Sequence, residues 1–352
     1  MKYQTIRDAD VKDKNVLVRV DYNVPIKNGK ITDDLRIKAS LPTLQYLLDA
    51  GAKKIILISH LGRPEGKIDM DLSLSPVADA LRKMLPGQGI GFYPLPNKGE
   101  LVTNYSDAKI ILLENLRFDP GEEENSEEFI KNIIDASEAD VYVQDGFAVI
   151  HRAHASTDAV AKFLPAYAGL LLEKEINNLG KVIENPKKPM LIIIGGSKVD
   201  DKKPLIEKFE NIADHIAVGG KIAADGYKSE GIIYVAEDFD TDSSGAKLDI
   251  GPVSTAKIAE FIKDAKTIIW NGLLGKAEDP AYATSSTIVA ELLGEKEDAE
   301  TVICGGDTTG FVENLMLTHP DLKYSLVSTG GGAALEFLLG KKLPGLEVLF
   351  TV

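Results

Sequence analysis

The sequence predicts an α/β protein of about two domains. Short runs of branched apolar residues recur along the chain, the mark of buried strands. Segments between them carry apolar residues at spacings of 4, 3 and 4, one face of a helix. A chain of 352 residues holds material for roughly two cores. Apolar content of 44% with 27% charged residues fits a soluble globular protein. The formal net charge of −14 argues against general nucleic-acid binding, while a local basic patch can still sit on an acidic body. Cys304 is the single cysteine, so no intrachain disulfide forms and a reducing interior fits. Met1-Lys2-Tyr3-Gln4-Thr5 lacks the apolar region of a secretion signal. No apolar run approaches the length of a membrane span. A cytoplasmic enzyme is the default expectation.

In the first half, Val16–Val20 reads as a strand closed by Asp21-Tyr22-Asn23-Val24-Pro25, and Lys27–Lys30 as a turn. From Asp34 to Ala50, Ile37, Leu41, Leu44 and Leu48 mark one helical face, with Asp33 or Asp34 as cap. Arg36 sits in the first turn, where a cation opposes the helix dipole, so it either has a partner or a task or is plain surface. Ile55–Ile58 is the next strand and runs into Ser59-His60-Leu61-Gly62-Arg63-Pro64. A helix follows near Ser75–Leu85, with Pro76 in its first turn. Ile110–Leu113 leads to Glu114-Asn115-Leu116-Arg117-Phe118, and Val141–Gln144 to Asp145-Gly146-Phe147 and then His151-Arg152-Ala153-His154. The acidic run Gly121–Glu128 is expected to open a helix and face water, because consecutive carboxylates rarely converge on a metal. The spacing of His151 and His154 does not suit a helical zinc pair. Strand ends in this half thus carry Asp21, Asn23, His60, Arg63, Arg117, His151, Arg152 and His154, with Arg36 near one of them. If the strands are parallel, these groups gather on one rim, where arginine forks suit phosphate and carboxylate.

Leu172, Ile176, Leu179 and Ile183 mark a helix midway along the chain that stops at Asn185-Pro186 and joins the two domains. After it, Leu191–Ile194 runs into Gly195-Gly196-Ser197-Lys198, with Lys202 four residues beyond Lys198 and on the same face if both are helical. Four more strands end in glycines: Ile216–Val218 before Gly219-Gly220, Thr267–Trp270 before Asn271-Gly272, Thr301–Cys304 before Gly305-Gly306-Asp307-Thr308, and Ser325–Thr329 before Gly330-Gly331-Gly332. Five such ends suggest a rim of exposed N–H groups suited to nucleotide phosphates. None has the GxGxxG form, which disfavours a nicotinamide or flavin cofactor. Asp307 suits either the Mg²⁺ side of a nucleotide or a helix cap. Cys304 and Trp270 read as core rather than as nucleophile and base platform. An Arg/His half for a compact anion and a Gly/Lys half for a nucleotide together point to phosphoryl transfer, with domain closure to exclude water.

The chain resembles the phosphoglycerate kinase family from end to end. The resemblance rests on Arg19-Val20-Asp21-Tyr22-Asn23-Val24-Pro25, Ser59–Pro64, Leu113–Phe118 and His151–Ser156, then on Gly195–Val199, Asp249-Ile250-Gly251-Pro252, Trp270-Asn271-Gly272, Gly305–Thr308 and Ser328–Ala333. It implies two doubly wound, mainly parallel-sheet domains joined by a hinge helix. Residues 1–168 would bind 3-phosphoglycerate, 169–186 form the hinge helix and 187–339 bind nucleotide, with 340–352 returning to the first domain. It implies reversible transfer between 1,3-bisphosphoglycerate with ADP and 3-phosphoglycerate with ATP, assisted by Mg²⁺, in a cytoplasmic monomer that needs neither nucleic acid nor membrane. By the same resemblance Asp21, Asn23, Arg36, His60, Arg63, Arg117 and Arg152 hold the glycerate, with His151 and His154 in support. Arg36 and Lys198 stabilise the moving phosphoryl group, and Lys202 and Asn271 contact nucleotide phosphates. Glu278 binds ribose, Asp307 lies on the Mg²⁺ side, and Gly196, Gly219, Gly305, Gly306, Thr308, Gly330 and Gly331 complete the nucleotide site.

The sequence departs from the family's pattern at Leu273, where proline is usual, at Cys304, where glycine is usual, and at Asp145-Gly146-Phe147-Ala148 for Asp-Ala-Phe-Gly. It is trimmed before Leu113 and between Lys221 and Asp249, which leaves nucleotide preference open. A kinase for another small carboxylate and a non-catalytic nucleotide-binding protein are the competing readings. Retention of both Arg36 and Lys198 argues against the latter.

Overall fold

The computed structural model describes residues 3–104, 107–228 and 230–350. Met1, Lys2, Thr351 and Val352, parts of the N-terminal and tail expectations, lie outside the described residues, as do Tyr105, Ser106 and Ser229 of the trimmed stretches. The chain divides into two compact units, one of 1–174 with 342–352 and one of 175–341.

The first unit contains β1 (Asn15–Arg19), a small antiparallel hairpin of β2 (Ile26–Lys27) and β3 (Lys30–Ile31), α1 (Leu35–Asp49), β4 (Lys54–Ile58) and α2 (Ser75–Met84). It continues with β5 (Ile90–Tyr93), β6 (Ile110–Leu113), α3 (Glu127–Ser137), β7 (Val141–Gln144) and β8 (Ala166–Ala168). One six-stranded parallel sheet results, in the order β5-β6-β4-β1-β7-β8. Alternate residues of its strands feed opposite cores. Val16, Val18, Ile55 and Leu57 pack with Ile37 and Leu44 of α1 and Val77 and Leu81 of α2. Leu17, Ile56 and Tyr142 pack with Ile130 and Ile133 of α3 on the other face. Helices cover both faces, so the strands read as unbroken apolar runs instead of alternating ones. The C-terminal segment belongs to this unit. Gly345 N–H donates to Ile150 O at 2.9 Å, and Gln4 N–H to Leu349 O at 3.2 Å.

Helix α4 (Leu170–Glu184) starts in the first unit, and the division between the units falls within it. The second unit holds β9 (Met190–Ile194), α5 (Val199–Phe209), β10 (His215–Val218), α6 (Gly220–Ala224) and β11 (Ile233–Val235). A hairpin of β12 (Phe239–Thr241) and β13 (Lys247–Ile250) precedes α7 (Pro252–Asp264), β14 (Thr267–Asn271), α8 (Thr284–Gly294), β15 (Glu300–Cys304), α9 (Gly306–Thr318), β16 (Leu326–Val327) and α10 (Gly331–Leu338). The last helix, α11 (Pro344–Glu347), lies in the returning segment. The second sheet is also six-stranded and parallel, in the order β11-β10-β9-β14-β15-β16. The chain runs outward from β9, then returns to β14 and runs the other way. The switch point between β9 and β14 opens a crevice at their carboxyl ends.

Three expectations need correction. The acidic run does not all face water: Glu122 is fully buried and accepts from Ser156 Oγ at 2.6 Å and Ser156 N–H at 3.0 Å. Lys198 is not helical; it is the N-cap of α5 in extended conformation, one residue before the helix begins. The strand expected over Ser325–Thr329 shrinks to two residues, while the short edge strands β5, β8 and β11 went unread. No helix among the described residues is long and apolar enough to cross a membrane.

The crevice depends on two glycines. A Cβ on Gly272, whose φ is +105°, would lie 2.1 Å from Gly195 O, and one on Gly195 would lie 2.2 Å from Leu273 O. Gly180, in the interior of α4, has nothing within 4 Å of the position a Cβ would take. We therefore expect Gly272→Ala to destabilise the second unit by about 3 kcal/mol or more, and Gly180→Ala to stabilise it by about 0.5–1 kcal/mol. Urea unfolding followed through Trp270, the single tryptophan and fully buried in this unit, measures both. Equal effects from the two substitutions would refute the packing argument.

Candidate active site

In the first unit the parallel strands bring β1, β4, β6 and β7 to a common rim. β1 ends in Arg19, which is buried although it stands in an apolar run. Its guanidinium donates to Val20 O at 2.8 Å and reaches His60 Nδ1 at 3.1 Å. His60 is itself buried and lies 3.9 Å from Asp21 Oδ1. The other oxygen of Asp21 accepts from Arg36 Nη1 at 2.5 Å, and Arg36 Nη1 also reaches Asn23 O at 3.3 Å. This pairing explains a cation in the first turn of α1. Asn23 Oδ1 accepts from Gly62 N–H at 2.9 Å, tying the loop after β1 to the loop after β4. Arg117, buried after β6, donates to Gly62 O at 2.6 Å and lies 3.1 Å from Glu123 as an ion pair. Arg152 Nε donates to His151 Nε2 at 3.2 Å, and Arg63 is exposed.

The rim is electropositive, and its histidines report it. Burial, then the charges of Arg19, Arg117, Arg152 and Arg36, hold His60 well below the usual imidazole range. His154 is pushed down to about 4 by burial and by Arg117, Arg19 and Arg152. The rim therefore combines neutral imidazoles with cations, a setting that an anion would complete. Sequence reasoning missed Arg19 and Glu122 here. An arginine inside the run Val16–Val20 was the available signal for the first; nothing in the acidic run singled out the second.

In the second unit a cleft of about 440 Å³ lies over the switch point. Gly196, Lys198, Lys202 and Glu278 line it, with Gly305, Gly306, Asp307 and Thr308. Gly219, Asn271, Gly330 and Gly331 do not line it. Gly219, at the N-cap of α6, packs its α-carbon beneath Leu274. Asn271 is buried and holds Lys202 Nζ through its Oδ1 and Cys304 Sγ, at 3.2 Å, through its Nδ2. Gly330 is the N-cap of α10, and a Cβ on Gly331 would lie 2.8 Å from Gly306 N. The helices α5, α6, α9 and α10 all begin without a side-chain cap. The first N–H groups of α5, α9 and α10 thus lack a side-chain partner and suit an anion, whereas in α6 the Ile222 N–H donates to Gly196 O at 3.3 Å. Asp307 lies in the first turn of α9 and is not its cap, which is Gly305. Burial holds the Lys202 ammonium below its usual range, while the carboxylates of Asp201 and Asp307 act the other way.

The departures from the family's pattern fit locally. Leu273 contributes its carbonyl, which accepts from Gly196 N–H at 2.7 Å, a bond any residue can make. Burial pushes the Cys304 thiol up to about 11, so it stays protonated and inert. Trp270 is core, and its Nε1 donates to Gly272 O at 2.8 Å. The hairpin side chains Phe239 and Lys247, unread in the sequence, also line the cleft.

Comparison with known proteins agrees with this geometry. A family model described as phosphoglycerate kinase matches residues 6–237 and 227–341. The phosphoglycerate kinase of Dictyoglomus turgidum is 41% identical over 394 aligned positions, which cover 98% of this chain and 97% of that protein. The solved phosphoglycerate kinase of Coxiella burnetii is similar with a TM-score of 0.79 at 33% identity, over 99% of each chain. That of Pyrococcus horikoshii OT3 gives a TM-score of 0.83 at 26% identity, over 98% of each chain. With full-length matches in sequence and fold, the chain belongs to the phosphoglycerate kinase family.

Proposed function

We propose an assignment of residues to the phosphoglycerate kinase reaction in this chain. As a member of the family, it is an enzyme of reversible phosphoryl transfer between 1,3-bisphosphoglycerate with ADP and 3-phosphoglycerate with ATP, a step of glycolysis and gluconeogenesis. The observation that carries the assignment is chemical contrast. One parallel sheet ends in arginines around a neutral histidine, the other in helices without side-chain caps, led by Lys198 in α5 and by glycine in α6, α9 and α10.

Asp21, Asn23, His60, Arg63, Arg117 and Arg152 hold the glycerate, with Arg36. Guanidinium groups only donate, so Arg19 forces His60 Nδ1 to accept. His60 is then neutral with its proton on Nε2, a donor for a substrate oxygen. Arg19 is a positioning residue for His60. Arg36 and Lys198 act on the phosphoryl group in transit. Lys202, held by Asn271, and the N–H groups of the glycine loops hold the nucleotide phosphates, and Glu278 the ribose. The attacking group in the ATP-consuming direction is a carboxylate, ionised near neutral pH. No general base is needed; charge stabilisation by fixed donors suffices.

No group of three or more potential metal ligands exists among the described residues. Asp307, an exposed carboxylate lining the cleft beside Gly305 and Gly306, fits a Mg²⁺ held mainly by nucleotide phosphates. Bound there, Mg²⁺ supplies neutralisation of phosphate charge. Helix α4 is the proposed hinge, and the protein is taken as a cytoplasmic monomer without nucleic-acid or membrane partners, in line with its acidic net charge.

A coupled assay with purified protein, 3-phosphoglycerate and MgATP tests the activity; no turnover in either direction would exclude it. Lys198→Ala is expected to lower kcat by about 100-fold or more with KM values within a few-fold. If only the KM values moved, Lys198 would be a binding residue instead.

The histidines also make stability depend on pH. The unfolded chain takes up protons near pH 6.5, whereas the folded chain holds His60 and His154 neutral well below that. Their contribution is therefore present above pH 6.5 and is lost as the pH falls, for His154 down to about 4. Unfolding midpoints measured across this window should fall less steeply in His154→Gln than in the parent. Identical slopes would show that His154 is not held neutral.

A further inference from the structure

We infer that Asn115 is a positioning residue of the glycerate site, fixing the loop that carries His60 and Arg63 against the loop that carries Arg117. The inference rests on reading the rim of the first unit as that site. β4 and β6 are neighbours in the sheet, so the loops that leave their carboxyl ends run side by side. Ser59–Pro64 follows β4, and Glu114–Phe118 follows β6. Each loop carries a group assigned to the substrate, so the spacing of the loops sets the distance between those groups.

Asn115 stands between the two loops with its amide fully engaged. Its Oδ1 accepts from Leu61 N–H at 3.2 Å and from Arg117 N–H at 3.1 Å. Its Nδ2 donates to Leu61 O at 2.7 Å and to Leu72 O at 2.9 Å. These partners fix the orientation of the amide, because an N–H only donates and a carbonyl only accepts. One side chain thus grips the peptide groups on both sides of Leu61, the residue directly after His60, together with the amide of Arg117. Asn115 is fully buried, so water does not take over these bonds when the side chain is lost.

Neighbouring bonds depend on the same spacing. Leu116 N–H donates to Ser59 O at 3.0 Å, and Arg117 Nη1 to Gly62 O at 2.6 Å. Glu114 secures the far end of the loop after β4, accepting from Ser73 Oγ at 2.7 Å and from Leu74 N–H at 2.8 Å. A second buried amide, Asn15, makes bonds of the same kind away from the rim. Its Nδ2 donates to Ser137 O at 3.3 Å and to Glu138 O at 3.1 Å, at the start of β1 and hence at the opposite end of the sheet. The two asparagines separate a positioning role from a purely structural one.

The experiment compares Asn115→Ala, Asn115→Ser and Asn15→Ala with the parent. Serine keeps a cap for the Arg117 N–H and gives up the grip on Leu61 and Leu72, so it folds where alanine fails. In both Asn115 variants the KM for 3-phosphoglycerate should rise about tenfold, with the KM for MgATP within about twofold of the parent. Asn15→Ala should lower the urea midpoint and leave both KM values within about twofold. An unchanged KM for 3-phosphoglycerate in a folded Asn115 variant would overturn the inference. So would an equal rise in Asn15→Ala, which would mark a general effect of losing a buried amide. Hydrogen exchange in the parent supplies a measurement that needs no variant. 3-Phosphoglycerate at ten times its Kd should slow exchange of the Leu61 and Arg117 amides about tenfold, because releasing them releases the site. Exchange unaffected by the ligand would also overturn the inference. A parent that neither binds nor turns over 3-phosphoglycerate would instead count against the reading of the rim.

Discussion

Where β9 and β14 end, two backbones cross at a separation that only glycine permits. Gly196 N–H donates to Leu273 O and Gly195 N–H to Asn271 O at this crossing, so the crossing is also hydrogen-bonded. It locks the loop that carries Lys198 to the loop that carries Glu278. A Cβ on Gly220 would lie 2.8 Å from Gly196 N, so the loop after β10 is pressed into the same knot. Three loops from three parallel strands are thus tied together by backbone contact, with Trp270 Nε1, Thr308 Oγ1 and Ser286 Oγ adding side-chain bonds to the loop after β14. Lys198 and Glu278 take no part in the crossing and line the cleft. This is why the glycines of this unit matter as much as its lysines.

The first unit meets the opposite problem. Its rim concentrates arginines, and like charges on one edge repel. Buried carboxylates and neutral imidazoles moderate that repulsion. Asp21 pairs with Arg36, and the fully buried Glu122 holds Ser156 in the loop that carries Arg152 and His154. Keeping His60 and His154 unprotonated avoids adding two more charges to the cluster. The arrangement leaves a net positive rim that is stable without a ligand yet still gains from an anion.

Much of this was legible in the sequence, and the failures share a cause. The central strands β1, β4, β6, β7, β9, β10, β14 and β15 announce themselves as branched apolar runs, because both of their faces are buried. The four edge strands β5, β8, β11 and β16 were unread or overlong, since an edge needs only two to four residues and Ile90-Gly91-Phe92-Tyr93 breaks its own pattern with glycine. In the site, residues in matched motifs were readable, and residues acting from behind were not. Arg19 looked like part of a strand, and Glu122 like one of several solvated acids. Phe239 and Lys247 come from a short hairpin in a trimmed stretch, where no periodicity singles them out. Gly219, Gly330 and Gly331, read as ligand-facing, stand at the starts of α6 and α10 and do not line the cleft; Gly219 and Gly331 also pack closely against neighbouring atoms.

The two rims divide the electrostatic work by donor type. Fork-shaped guanidiniums on the first unit fit planar carboxylate and tetrahedral phosphate in fixed orientation, which suits a small substrate with an anion at each end. In the proposed assignment the second unit uses backbone N–H groups and lysines, which suit a phosphate chain without demanding one orientation of each oxygen. Lys202 shows how such a lysine is kept ready. Asn271 accepts from its ammonium and is itself fixed by Cys304 in the register partner position on β15. Cys304 therefore contributes through a weak acceptor sulfur where the family usually has glycine, and burial keeps it a thiol. The substitution adds a contact to the residue that orients Lys202 while placing no side chain in the cleft, because Cys304 is buried and does not line it.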